Sequence, residues 1–329
     1  MLDIFRREGK IMNRISLGST ASTKKYTRRS ILSKSIRKNW DLYLLITPVI
    51  VYFIIFHYAP MYGVQIAFKN FLGTRGIWGS EWIGFMHFKR FFMSYNFAYI
   101  IKNTLEISLY QLILGFPIPI ILALLMNELK NGTFKKTVQT VTYAPHFIST
   151  VVLVGMLVTA LSPSSGIVNQ IIKALGGETK YFIGDPGWFK TLYVLSGVWQ
   201  QMGWSSIIYM AALSGIDPQL HEAAIVDGAS KLKRMWHINM PGIAPTIIIL
   251  LILEIGRMMN VGFEKVFLMQ NTLNVSTSEV ISTYVYKTGL LGAQYSFSAA
   301  IGLFNSVINF LLLLTVNSIS RRVSETSLW

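Results

Sequence analysis

The chain has 329 residues, of which 52% are hydrophobic and only 14% charged, and its mean hydropathy is +0.46. Soluble domains carry nearer about 25% charged residues, so this composition excludes an ordinary soluble domain and predicts an all-α, polytopic membrane protein. The absence of cysteine excludes disulfides, thiol catalysis and Cys-ligated zinc or iron–sulfur centres, and the net charge of +15 is distributed in a way that argues for a membrane surface over nucleic acid.

Eleven of the 30 Lys and Arg residues, among them Arg6, Arg7, Lys24, Lys25, Arg28 and Arg29, fall in residues 1–41 against three acids. This is a basic tail ahead of a hydrophobic span, suited to lying on anionic headgroups. It is too long for the charged region of a secretory signal, and no small-residue cleavage site closes the first span. Stretches of about 20 apolar residues cross the hydrocarbon core as helices. Six are expected within a transmembrane domain of residues 42–320: Leu42–Val64, Thr104–Met126, Tyr143–Leu161, Leu192–Leu213, Ile243–Val261 and Phe297–Ile319. Gly115, Pro117 and Pro119 predict a kink in the second.

Six spans put both termini on one side. The tail, the segment after span two (Lys130, Lys135, Lys136), the loop after span four (Lys231, Lys233, Arg234) and the end 321–329 (Arg321, Arg322) together carry 19 basic residues, and the opposite loops carry ten. The positive-inside rule therefore places both termini and the loop after span four in the cytoplasm of a cell with a plasma membrane.

That loop, residues 214–242, reads as two short helices. Asp217-Pro218 starts the first, since Asp caps free N–H groups and Pro loses nothing at the first helical position. Gly228 sits where a C-terminal cap needs positive φ, and Ser230 starts a second helix that Pro241 is expected to end. His221-Glu222 opens a zinc-protease pattern, but the position of its second His is Ile225. None of His57, His87, His146, His221 and His237 forms an i, i+4 metal pair, and no G-x-S-x-G elbow occurs, so a metal site and a membrane enzyme are not expected.

Glu222-Ala223-Ala224, three residues, Gly228, nine residues, Ile238, one residue and Met240-Pro241 match E-A-A-x3-G-x9-I-x-L-P with Met240 as the sole departure. This resembles the EAA motif of permease subunits of type I binding-protein-dependent ABC importers, the maltose-transporter permease family among them. "FHYAPMYGVQIAFKNF", "FKKTVQT", "YAPHFIS", "GDPGWF", "AALSGIDPQLHEAAIVDGAS" and "GLLGAQYSF" resemble the LplB-type subgroup of polysaccharide and oligosaccharide permeases. The resemblance implies a type I importer fold and a bacterial cell membrane. It further implies a second, related permease subunit as heterodimer partner, two ATPase subunits and an extracytoplasmic solute-binding protein. It also implies that Glu222, Ala223, Ala224, Asp227, Gly228, Ile238 and Pro241 form the element that docks on an ATPase. No G-x-x-x-x-G-K-[ST] loop occurs, so this chain is expected to bind no cofactor, with ATP and Mg on its partners.

Polar groups in the spans are the candidates for a solute pathway. Span four offers Trp199, Gln200, Gln201, Trp204, Ser205 and Tyr209, flat apolar faces with hydrogen-bonding groups that suit a sugar, although such residues equally serve packing or interfacial anchoring. Asn260 and Phe263 near the end of span five and Asn305 in span six are similar candidates. Glu254 and Arg257 are spaced i, i+3, which predicts either an internal ion pair or an arginine restrained by Glu254 to meet the carboxylate of an acidic sugar. Glu106 is expected at the interface. The external segments 65–103 and 262–296 carry Trp78, Trp82, Tyr95, Tyr284, Tyr286 and Tyr295, as a docking surface or as interfacial aromatics. The competing function is a six-helix secondary carrier, which needs its own coupling acids and usually shows internal repeats; none is evident.

Overall fold

The computed structural model describes residues 38–130, 132–323 and 326–328. The basic tail expected over residues 1–41 lies almost wholly outside the described residues. The chain divides into two units, Met1–Gly63 and Val64–Trp329. In the first, α1 (Trp40–Phe53) passes into a π-helical turn, Ile54–Tyr58, and a helical turn Ala59–Met61. The wide turn comes just before Pro60, whose missing N–H would leave a carbonyl without its helical donor; an i→i+5 pattern absorbs that gap. No residue of α1 is buried, and its apolar side chains, such as Leu45 at 75% exposure, are suited to lipid or another subunit rather than to water.

The second unit opens with a short ribbon, β1 (Lys69–Asn70) antiparallel to β2 (Glu81–Trp82). It then runs through α2 (Tyr95–Gly115), α3 (Pro117–Glu128), α4 (Thr133–Tyr143), α5 (Thr150–Ala160) and α6 (Pro186–Ser214). There follow α7 (Pro218–Val226), α8 (Lys231–Arg234), α9 (Met240–Ile255), α10 (Phe263–Met269), α11 (Ile281–Tyr286) and α12 (Tyr295–Val323). Among the described residues four helical stretches are long and apolar enough to cross a membrane: Trp40–Phe68, Tyr95–Glu128, Lys231–Ile255 and Tyr295–Val323. A bent pair, Thr133–Phe147 with Thr150–Ala160, makes a fifth if counted as one.

Three expected spans look different in the structure. Span two runs from Tyr95 to Glu128 with its break at Phe116, because Pro117 and Pro119 withdraw the donors that the carbonyls of Ile113 and Gly115 would otherwise receive. Span three is not the single helix Tyr143–Leu161. The chain turns by 100° between Phe147 and Thr150, after Pro145, and Ser149 restarts the helix by accepting from Val152 N at 3.4 Å. In span five Pro241 does not end a helix: a π-helical turn, Met235–Asn239, joins α8 to α9, and its wide i→i+5 bond from Met240 N to Met235 O comes just before the proline and absorbs the donor it lacks.

Helix α6 is 29 residues, or about 43 Å, yet is less apolar than the four spans. It is buried at intervals from Phe189 to Leu213 and packs on α2, α3, α4 and α9, so its surroundings are largely protein and its surface need not match lipid. Ile107, Phe189, Tyr193, Val266 and Val280 form one core; Ile120, Ala123, Tyr209, Leu213 and Ile243 form another; Phe91, Ile100, Phe297 and Ile301 form a third. At Gly203 the backbone of α4 comes so close that an added Cβ would lie 2.0 Å from the Thr142 carbonyl oxygen. Gly203→Val is therefore expected to cost at least about 1–3 kcal/mol through overpacking. It should lower the detergent-solubilised melting temperature and yield, whereas Gly302→Ala, into open space, should not.

Candidate functional site

A cavity of about 640 Å³ opens between span two, α6 and the end of α9. Its wall takes Gln111, Gly115, Phe116 and Pro119 from span two, Gly197, Gln201, Trp204, Ser205, Ile208 and Tyr209 from α6, and Leu250, Leu253, Glu254 and Arg257 from α9 and the turn after it. A smaller recess shares Gln111, Glu254 and Arg257 and extends to Ser108 and Asn260. The α6 residues recur at the helical repeat, so they form one stripe of amide, hydroxyl and ring surface along one helix face.

Trp204 is held by a stack on His146, with ring centroids 4.3 Å apart and planes within 2°. His146 Nδ1 donates to Gln201 Oε1 at 2.9 Å. The bend in span three thus supplies the clamp that orients two cavity residues. The Pro145-His146 pair ahead of the bend is the sequence signal for this clamp, and it lies outside the polar positions that the spans by themselves point to. Gln111, Gly115 and Phe116 were likewise missed, although the break before Pro117 placed them at a wall rather than in a plain helix.

Other candidates separate. Gln200 is buried and donates to the Ile148 carbonyl at 2.7 Å, which ties α6 to the span-three bend rather than to the cavity. Trp199 lies off the lining stripe. Asn260 Oδ1 accepts from Asn305 Nδ2 at 2.7 Å and Asn309 Nδ2 at 3.0 Å, while Asn309 Oδ1 accepts from Met259 N at 3.0 Å, so Asn260 and Asn305 belong to one amide network at the recess. Phe263 packs with Phe267 and Tyr286, centroids 5.3 and 5.0 Å away, and borders a separate shallow groove with Gly289 and Gly302.

The ion pair expected between Glu254 and Arg257 does not form: no contact within 4.0 Å joins their charged groups, and both side chains are exposed to the cavity. Helix α9 ends at Ile255, Gly256 lies against Leu313, and Arg257 sits on the following turn, where its N–H donates to the Glu254 carbonyl at 3.0 Å. The backbones are thus one turn apart but the side chains enter the cavity without meeting, so Glu254 does not restrain the arginine. Lys265, behind the wall at Gly197, is a second cation without a carboxylate. It donates to the Tyr193 carbonyl at 2.8 Å, lies 4.8 Å from that ring's centroid, and is pushed down to about 8 by burial. Glu106, by contrast, pairs with Lys190 and, at 3.9 Å, with Lys102.

The 214–242 loop has the expected local chemistry. Asp217 Oδ1 accepts from Gln219 N at 2.9 Å to start α7. Gly228, at φ +75°, ends the helix while Ala229 N donates to Ala224 O at 2.8 Å and Gly228 N to Ile225 O at 3.0 Å, the paired bonds of a Schellman cap. Ser230 Oγ accepts from Lys233 N at 3.4 Å and starts α8. No α7 residue is buried; Glu222, Ala223 and Asp227 are exposed, Ala224 is half-buried, and Leu220, Ile225, Val226, Leu232 and Trp236 stand out at 53–87% exposure. Ile238 is half-buried beneath this surface and Pro241 lies at its base. Such apolar exposure on a charged loop marks a partner surface. Among the described residues no group of three or more His, Asp or Glu is placed to hold a metal ion.

Residues 115–325 match the family described as binding-protein-dependent transport system inner membrane component. The chain is 43% identical over 293 residues to protein LplB of Bacillus subtilis strain 168, covering 89% of this chain and 92% of that one. It is 42% identical over 306 residues to the polygalacturonan/rhamnogalacturonan transport system permease protein YteP of the same organism, covering 93% and 95%. In a crystal structure of a bacterial alginate ABC transporter in complex with an alginate pentasaccharide-bound periplasmic protein, one chain superposes with a TM-score of 0.83 at 42% identity, covering 90% of this chain and 99% of that one. A multi-pass permease of this kind is not itself an enzyme and works with a solute-binding protein and ATPase subunits, which removes the secondary carrier as a reading. The chain therefore belongs to the binding-protein-dependent transport system inner membrane components, the permease subunits of ABC importers.

Proposed function

We propose that this permease forms half of the pathway for an oligosaccharide bearing uronic acids. The observation that carries the reading is Arg257: a guanidinium unpaired by Glu254, facing a cavity with Trp204, Gln201, Ser205 and Tyr209 on its wall. An aromatic face receives the C–H side of a sugar ring, amides and hydroxyls take its hydroxyls, and arginine matches a carboxylate in two parallel hydrogen bonds. Asn260 and Asn305 extend the polar wall at the recess; Trp199, Gln200 and Phe263 support it or face elsewhere. The names of the relatives, a polygalacturonan/rhamnogalacturonan permease and an alginate transporter, support an acidic sugar.

On this reading the four apolar spans, the bent pair and α6 make six crossings, with both termini and the 214–242 loop in the cytoplasm. The loop docks on an ATPase subunit through the apolar side chains around Glu222, Ala223 and Ala224. ATP and Mg are held by two such subunits, the second permease is a related but distinct chain, and exposed external aromatics such as Trp78 and Tyr95 suit the binding protein's approach.

The test is uptake by the complete transporter in proteoliposomes with its binding protein, using trigalacturonate and maltotriose of equal length. ATP-dependent accumulation of the uronate at least about tenfold above the neutral sugar is expected, the ratio of one charge-assisted bond. Equal rates would remove the acidic-sugar reading, and a binding protein that takes only peptides or amino acids would remove sugar altogether.

A further inference from the structure

The 214–242 loop is closed at its base and fastened to span two. Ile216 at its start packs on Gly242 at its end, where an added Cβ would lie 2.6 Å from Ile216 Cδ1, so a larger residue would have to displace the Ile216 side chain. Within the loop Arg234 turns inward: its side chain is 13% exposed, while Leu232 and Trp236 on either side are at 74% and 69%. Its guanidinium meets the carboxylate of Glu128, 18% exposed, at 3.9 Å. Glu128 is the last residue of α3, at the negative end of the helix dipole, where an acid is unfavourable without a nearby cation. Beside the pair, Met235 and Met240 pack against the core that contains Ile120, Ala123 and Leu124 of α3.

Helix α3 is thus tied at its far end to the loop, packs on α6, and meets the first part of span two at the proline break. Twelve residues make a lever of about 18 Å between Glu128 and Phe116, and Phe116 is in the cavity wall. We infer that Glu128 and Arg234 are positioning residues that deliver displacement of the loop to the Phe116 break, so that ATPase closure reshapes the cavity through α3. The inference rests on the reading that the loop docks on the ATPase. The pair is a charge contact with slack rather than a tight hydrogen bond, and Arg234 Nε is buried without a partner, so the contact can tighten as the loop moves.

The chain has no cysteine, which makes paired spin labels straightforward to introduce. In the complete transporter, Leu109→Cys and Leu125→Cys place labels at exposed positions on either side of the break. The label distance is expected to change between the nucleotide-free and ATP–vanadate-trapped states. In Glu128→Gln and Arg234→Gln that change should fall by at least half, and ATP hydrolysed per trigalacturonate imported should rise about five- to tenfold, within the range of a single coupling contact. The charge-swapped Glu128→Arg/Arg234→Glu protein should return to within about twofold of the starting ratio. That rescue separates the pair from a direct contact of Arg234 with the ATPase. An unchanged distance shift in the single variants, a proportional fall of transport and hydrolysis together, or failure of the swap overturns the inference. Gly228→Trp serves as the reference: if it uncouples while Glu128→Gln does not, only the lever falls, and if neither uncouples, the docking reading falls with it.

Discussion

Replacing Gly228 by tryptophan is expected to leave the transporter assembled and hydrolysing ATP while uptake falls by at least about tenfold. The backbone at Gly228 has φ +75°, and both bonds of the helix cap depend on it. An L-residue other than glycine pays roughly 1–2 kcal/mol there, enough to shift a local conformational balance by about tenfold. The space around Gly228 is open within 4 Å, so Gly228→Ala carries the conformational cost alone, and the indole of Gly228→Trp adds bulk on the face that Ile225 and Val226 offer to a partner. Alanine should therefore give a partial loss and tryptophan the large one. Measuring ATPase and uptake on the same proteoliposomes checks this. Unchanged uptake in the tryptophan variant would contradict the loop's role, and loss of the assembled complex would show a folding function instead.

The second large effect is expected at Arg257. In Arg257→Gln, trigalacturonate uptake should drop by about 10- to 100-fold, the worth of a hydrogen bond to a charged group, with maltotriose uptake little changed. Arg257→Lys should recover only part, because an ammonium keeps the charge but loses the two-pronged geometry. Glu254 decides how selective this result is. It faces the same cavity without neutralising the arginine, so Glu254→Gln should leave uronate uptake equal or raised rather than reduced. An equal loss of acidic and neutral sugar in Arg257→Gln would assign the arginine to the shape of the α9 end and not to recognition.

The contrast between these two positions explains what was readable in advance. The cap at Gly228 is legible because it is local: a cap residue, a turn and a spacing of a few residues are all properties of neighbouring sequence. Arg257 was identifiable as unusual but not in its pairing. Its relation to Glu254 depends on the directions in which the two side chains leave the turn after Ile255, beside which Leu313 of α12 packs from far along the chain. Pro241 shows the same limit from the other direction. A proline after a short helix reads as a stop, but the π-helical turn before it let the chain run on into span five.

Span four marks the boundary most sharply. The sequence by itself determined that a long helix there carries tryptophan, glutamine, serine and tyrosine, that the chain is a membrane permease, and that residues 214–242 form a loop of two capped short helices. Only the tertiary structure decided that Gly197, Gln201, Trp204, Ser205 and Tyr209 face the cavity while Gln200 braces the bend of span three and Trp199 lies off the stripe. Each residue advances about 100° around the helix, so adjacent positions point in different directions. Which direction holds solute, protein or lipid is set by the helices that pack around it, and those come from other parts of the chain.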